Sequence, residues 1–187
     1  MLTVLDPVTA LIVVDLQKGL MDYPFIHPIE PVVQRAAALI AAFRARELPV
    51  VLVNATGRAP GRTEQPGRGG DAFPDGFADF LPELGQHPDD IVVTKRTWGA
   101  FTGTGLDERL KALGVTQVVV AGVATGTGVD ATARQAYELG FNVTLAIDAM
   151  TDSRQRAHDY SIEALFPRLG ETGTTEAIVE LLAARAC

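Results

Sequence analysis

The chain has 187 residues, 47% of them hydrophobic and 21% charged, an ordinary globular composition with enough length for a sizeable core, and a single domain over 1–187 is expected. Its formal net charge of −7 repels nucleic acid and anionic membrane surfaces, so neither is expected as a partner. The one cysteine, Cys187, excludes an intrachain disulfide; with no basic segment leading into an apolar leader and no apolar run of about 18 residues, a cytoplasmic protein is expected.

Ala10 to Val14 reads as a first strand that delivers Asp15 to its carboxyl end. A strand-end aspartate ordinarily caps a helix or ties loop amides, yet it is also a candidate for chemistry. Leu20 to Pro31 holds Tyr23, Phe25 and His27 among prolines and reads as an irregular covering loop, with His27 a surface histidine. A helix from Pro31 through Arg46 follows, its core face carrying Val32, Ala36, Leu39, Ile40 and Phe43 at helical spacing.

Pro49 to Asn54 is the second strand. Ala55 to Gly76 is a long aperiodic stretch in which Arg58, Arg62 and Arg68 either clamp an anion or sit solvated on a lid. Gly76 to Leu84 reads as a short amphipathic helix, and Asp90 to Thr94 as a third strand that hands over Lys95. A lone lysine is ordinarily a solvated surface charge, but this one shares a rim with Asp15 and is its candidate partner. Leu106 to Leu113 is a helix closed by Gly114.

The centre of the chain is Gln117 to Arg134. Gln117 to Ala121 is β-branched without alternation, as in a parallel strand covered on both faces. Gly122, Gly126 and Gly128 then permit a tight loop, and the helix carrying Val129, Ala133, Ala136 and Tyr137 starts with its free N–H groups facing that loop. A fifth strand, Asn142 to Ile147, leads to Asp148 and Asp152, read as capping residues of the last loop; Arg154 to Phe166 is a helix, and Thr174 caps a final one reaching Ala184.

Alternating strands and helices define an α/β fold: a doubly wound, Rossmann-like, mainly parallel sheet with helices on both faces. A Gly-x-Gly-x-x-Gly after the first strand, a P-loop, a His-x-x-x-His pair and a Gly-x-Ser-x-Gly elbow are all missing, and there are three histidines, so no cofactor and no metal are expected.

Asp15-Leu-Gln, Lys95-Arg-Thr-Trp-Gly-Ala-Phe-x-Gly-Thr and Gly122-Val-Ala-Thr-x-x-Gly-Val-Asp-x-Thr-Ala-Arg, with Asp148-Ala-Met-Thr-Asp and Glu171-Thr-Gly-Thr-Thr, together resemble the isochorismatase-like hydrolases, a superfamily that includes nicotinamidases and N-carbamoyl amidohydrolases. The resemblance implies the isochorismatase-like hydrolase fold, a homo-oligomer, and a small-molecule substrate. It places an aspartate, lysine and cysteine triad at Asp15, Lys95 and Gly128, so the nucleophile is replaced by glycine. It also implies a cis peptide between Val123 and Ala124, with the N–H groups of Ala124 and Gly128 turned to the site. Leu20, Phe25, Trp98, Phe101, Ala124 and Thr125 are the expected substrate-binding residues, although Trp98 and Phe101 also suit a plain core. Nicotinamidases hold their metal with Asp-x-His after the second strand, where this chain has Asn54-Ala55-Thr56.

Glycine at 128 offers no thiolate, so cysteine-type amide hydrolysis is not supported. Isochorismatases with a non-nucleophile there cleave a vinyl ether, and the resemblance then makes Asp15 the acid. Burial raises the pKa of Asp15 and Lys95 lowers it, and the residues alone do not decide the sign. Two other readings stay open: a non-catalytic metabolite-binding protein on the same fold, and an amidohydrolase whose cysteine has been replaced. Apolar residues around Leu139 to Phe141, or the last helix, are the expected oligomer interface.

Overall fold

The computed structural model describes residues 2–64 and 73–185; Arg68 and Cys187 lie outside them. Six strands, β1 Thr9–Val14, β2 Val50–Ala55, β3 Ile91–Lys95, β4 Gln117–Val123, β5 Asn142–Thr151 and β6 Glu171–Gly173, form one parallel sheet in the order β3-β2-β1-β4-β5-β6. From β1 the chain winds outward through β2 to β3, then returns to β4 on the other side and winds outward through β5 to β6. The reversal leaves a crevice at the carboxyl ends of β1 and β4, where open α/β sheets bind ligands.

The central strands β1 and β4 are buried at every residue, which explains why their sequences lack alternation. The edge strand β3 alternates instead: Ile91, Val93 and Lys95 point inward while Val92 and Thr94 are exposed. Lys95 therefore enters the interior on the same face as two core residues.

Helix α1 (Ile29–Arg44) and helix α6 (Thr175–Ala183) cover one face of the sheet with Val32, Leu39, Ile40, Phe43, Ile178 and Leu182. Helices α2 (Leu106–Ala112) and α3 (Asp130–Glu138) cover the other, joined by α5 (Phe166–Leu169), while α4 (Gln155–Tyr160) packs against the turn that follows β4. Each fully buried Leu, Ile or Phe contributes about 2 kcal/mol, so these two layers hold the strand ends in place. Thr174 caps α6 as expected, its Oγ1 accepting the Ala177 N–H at 3.2 Å.

Several expectations are corrected. Residues 76–84 form no helix; the backbone carbonyls of Phe77 and Asp79 accept the N–H groups of Gly19 and Lys18, and only Pro82–Leu84 makes a short 3-10 turn. The expected single helix from Arg154 to Phe166 is α4 and α5 joined by a π-helical turn, Ser161–Leu165. Strand β5 extends to Thr151 through an irregular register against β4, and β6 was not expected. Phe141, Ile178 and Leu182 are core residues of this chain. No helix among the described residues is long and apolar enough to cross a membrane.

Candidate active site

Asp15 directly follows β1 in a left-handed conformation, φ 54, which aspartate tolerates better than most residues, and its N–H still donates to Val53 O at 2.9 Å. Lys95, the last residue of β3, reaches over from two strands away and donates from Nζ to Asp15 Oδ2 at 2.7 Å and to the Thr97 carbonyl at 3.2 Å. Both residues are buried, Asp15 to 6% and Lys95 to 2% exposure. Asp15 Oδ1 is buried with no hydrogen-bond partner among the described residues. Lys95 therefore compensates only one carboxylate oxygen. Burial outweighs the attraction and hydrogen bond of Lys95, and the Asp15 carboxyl is pushed up from its ordinary 3.8 to about 6.

The third residue of the constellation comes from the segment after β4. Gly122, φ 113, lies so close to β1 that any Cβ there would land on the Val14 carbonyl oxygen. The Val123–Ala124 peptide is cis. The expected tight loop is instead one π-helical turn, Thr125–Val129, running straight into α3. Gly128 lies in that turn opposite Asp15: a Cβ at 128 would stand 3.2 Å from Asp15 Oδ2, 3.1 Å from Val14 Cγ1 and 2.9 Å from the Val123 carbonyl oxygen. Position 128 thus faces the Asp15–Lys95 pair, in a turn with little room for a side chain.

A cavity of about 490 Å³ opens in front of Asp15. Leu20, Phe25, Trp98 and Ala124 line it, together with Tyr23, Thr127, Asp152 and Arg154. Two expected binding residues lie elsewhere. Phe101 is core, 6.0 Å from Phe141 in a stacked pair, because the helical face of α3 draws the segment after Trp98 inward: Phe101 N–H donates to Gln135 Oε1 at 3.0 Å. Thr125 is fully buried and bonds to His158 Nδ1 at 2.9 Å, behind the turn. A roomier groove lined by Arg44, His87 and Asp90 lies at the amino ends of β2 and β3, away from this chemistry.

Side chains from neighbouring segments fix the rim. Asp152 Oδ2 accepts the Gly126 N–H at 2.7 Å and its Oδ1 the Arg154 N–H at 3.0 Å, while Asp148 Oδ1 accepts Thr175 N–H at 2.7 Å; both aspartates therefore cap, as expected. Gln17 clasps β2 in both directions, its Oε1 accepting Ala55 N–H at 2.7 Å and its Nε2 donating to Ala55 O at 3.1 Å. Behind the turn, burial and nearby His27 push the His158 imidazole down. Sequence reasoning missed Arg154, which stands two residues past Asp152 and three past the end of β5.

The metal position of nicotinamidases does not fit a metal here. Asn54 gives its Nδ2 to Ala78 O at 2.9 Å, and the segment offers amide and hydroxyl oxygens in place of a carboxylate and an imidazole. Among the described residues no group of three His, Cys, Asp or Glu side chains converges for a metal.

A doubly wound sheet with an Asp–Lys pair at the ends of its first and third strands, facing a cis-peptide turn after the fourth, defines a class of α/β proteins. The chain belongs to the isochorismatase family: residues 9–177 match the isochorismatase domain. It is 38% identical to the isochorismatase family protein YwoC of Bacillus subtilis over 92% of this chain and 93% of that one. It is 30% identical to Nicotinamidase 3 of Arabidopsis thaliana over 83% of this chain and 79% of that one. An isochorismatase family protein from Burkholderia thailandensis superposes with a TM-score of 0.91 at 36% identity, covering 97% of this chain and 98% of its own.

Proposed function

We propose that the protein is a cofactor-independent hydrolase of a small molecule that uses Asp15 and Lys95 for acid–base chemistry and cleaves a vinyl ether. One observation carries this reading: a carboxyl group held near a pKa of 6 faces, at Gly128, a position with no side-chain nucleophile. A pKa close to neutrality lets one group hold a proton and give it up, and at pH 7 roughly a tenth of the molecules carry it.

In the reaction, the Asp15 carboxyl protonates the terminal carbon of the enolpyruvyl double bond, and the electron pair of the ether oxygen stabilises the resulting oxocarbenium ion. Water adds to that cation and returns a proton to the Asp15 carboxylate. The hemiketal then breaks its bond to the ring oxygen, giving pyruvate and an alcohol, with one water consumed. Lys95 holds Asp15 in place and steadies the carboxylate in the half of the cycle when it is charged. No covalent enzyme intermediate is required.

The test is incubation with isochorismate, with pyruvate followed by a coupled assay, in wild type and Asp15→Asn. Steady pyruvate release that Asp15→Asn lowers more than 100-fold is expected, the loss of an essential acid. Unchanged turnover in Asp15→Asn overturns the mechanism. Tight binding of isochorismate recovered intact supports the second reading, a metabolite-binding protein, which the missing nucleophile favours.

A further inference from the structure

Helix α3 carries two polar side chains, Thr132 and Gln135, that bond to the segment following Lys95; spaced three residues apart, they are neighbours on one side of the helix. Thr132 is fully buried. Its hydroxyl has one proton, which goes to the Gly128 carbonyl one turn back at 2.7 Å, while its oxygen accepts the buried Ala100 N–H at 3.1 Å. A threonine that only bonds back along its helix is ordinary, but this one also holds a segment 32 residues away in sequence. Gln135 reinforces the hold: its Oε1 accepts the Phe101 N–H at 3.0 Å, and Gly99 lies so near that a Cβ there would stand 2.2 Å from the same oxygen.

The hydroxyl joins two walls of the site. On one side is the turn in which a Cβ at 128 would stand 3.2 Å from Asp15 Oδ2. On the other is the segment 97–101, which gives Lys95 Nζ its second acceptor, the Thr97 carbonyl at 3.2 Å, and brings Trp98 to the cavity. We propose that Thr132 is a positioning residue, whose hydroxyl sets the spacing between the turn opposite Asp15 and the segment that anchors Lys95. The charged group bonded to Asp15 is Lys95, and Tyr23, Asp152 and Arg154 line the cavity in front of it. Loss of an uncharged hydroxyl therefore reaches Asp15 only through the position of its surroundings. Without the tie the two walls part, water reaches the Asp15 carboxyl, and the burial that holds its proton is weakened. The bearing on catalysis rests on the reading of Asp15 as the acid, whereas the positioning itself does not.

The test is titration of the Asp15 carboxyl by ¹³C NMR of protein labelled at aspartate, the signal being assigned by its loss in Asp15→Asn. Thr132→Val keeps the shape of the side chain and removes both hydrogen bonds, and Thr132→Ser keeps both. Thr9→Val is the control, since it removes a fully buried hydroxyl that bonds Asp6 O and Gln117 Oε1 at the amino end of β1, away from the site. Asp15 is expected to titrate about half a pH unit or more lower in Thr132→Val, and as in wild type in Thr132→Ser and Thr9→Val. An unchanged Asp15 titration in Thr132→Val, no rescue by Thr132→Ser, or an equal shift in Thr9→Val overturns the proposal. Should Thr132→Val not fold, Gln135→Met frees the same segment from a half-buried position, and there too a downward shift is expected and its absence overturns the proposal. With isochorismate, the fall of kcat/KM with pH should move lower in Thr132→Val by the same interval. A titration that moves as expected with no pyruvate released supports the positioning and counts against the functional reading alone.

Discussion

Lys95 Nζ and Asp15 Oδ2 meet at 2.7 Å across the whole width of β2, with side chains only 3% and 9% exposed. The pair is joined through one oxygen, and this asymmetry sets the chemistry: full compensation would hold the carboxyl ionised, whereas half leaves burial in control. Removing Lys95 removes both effects that lower the Asp15 pKa. In Lys95→Met the Asp15 carboxyl should titrate above 6, seen directly by ¹³C NMR of the carboxyl carbon.

On the proposed mechanism activity should fall as pH rises through about 6, because that mechanism requires the protonated form of Asp15. A pH profile of kcat/KM checks this, and a rate that instead rises through 6 would make Asp15 a base and the vinyl-ether reading untenable. Stability follows the same sign. The folded value of about 6 lies above the ordinary 3.8, so the contribution of protonated Asp15 is complete below about 3.8 and lost as pH climbs to 6. The urea midpoint should carry a matching decline over that interval that is absent in Asp15→Asn.

Gly128→Cys should not simply restore an amidase. Its Cβ stands 2.9 Å from the Val123 carbonyl oxygen, closer than carbon and oxygen pack, so the turn must move. Overpacking of this kind costs about 1–3 kcal/mol, read as a lower urea midpoint. Gly122→Ala should be worse, since it combines φ 113 with a collision against the β1 backbone; little soluble folded protein is expected on expression.

Thr125→Val keeps the shape of the side chain but strands His158 Nδ1 in a buried site. A loss of about 1–3 kcal/mol is expected by thermal denaturation, with Thr125→Ser retaining most of the stability because the hydroxyl remains.

The first five strands and the rim residues Asp15 and Lys95 were legible because each rests on a strong local signal: unbroken apolar runs in β1 and β4, and polar residues where the strands stop. Residues 76–84 misled because an amphipathic spacing says nothing about where backbone carbonyls go, and these are used by Lys18 and Gly19, about sixty residues away in sequence. Phe101 and Trp98 share one short motif, yet one is core and the other 66% exposed. Gln135 of α3 makes that division, and its distance from the motif hides it. Arg154 lies three residues past the end of β5, beyond the reach of the strand-end argument, and the fifth strand itself runs four residues past Ile147.

The site's parts stand far apart along the chain: Asp15 and Lys95 are 80 residues from each other, and the turn bearing Gly128 follows β4, which pairs with β1. Long loops must close before any of these contacts forms, which makes such sheets slow to assemble. The Asp15–Lys95 pair requires β1, β2 and β3 to be in register, because β2 lies between its members. A chain severed between β2 and β3 therefore separates the two members of the pair, and only reassociation of the fragments restores it.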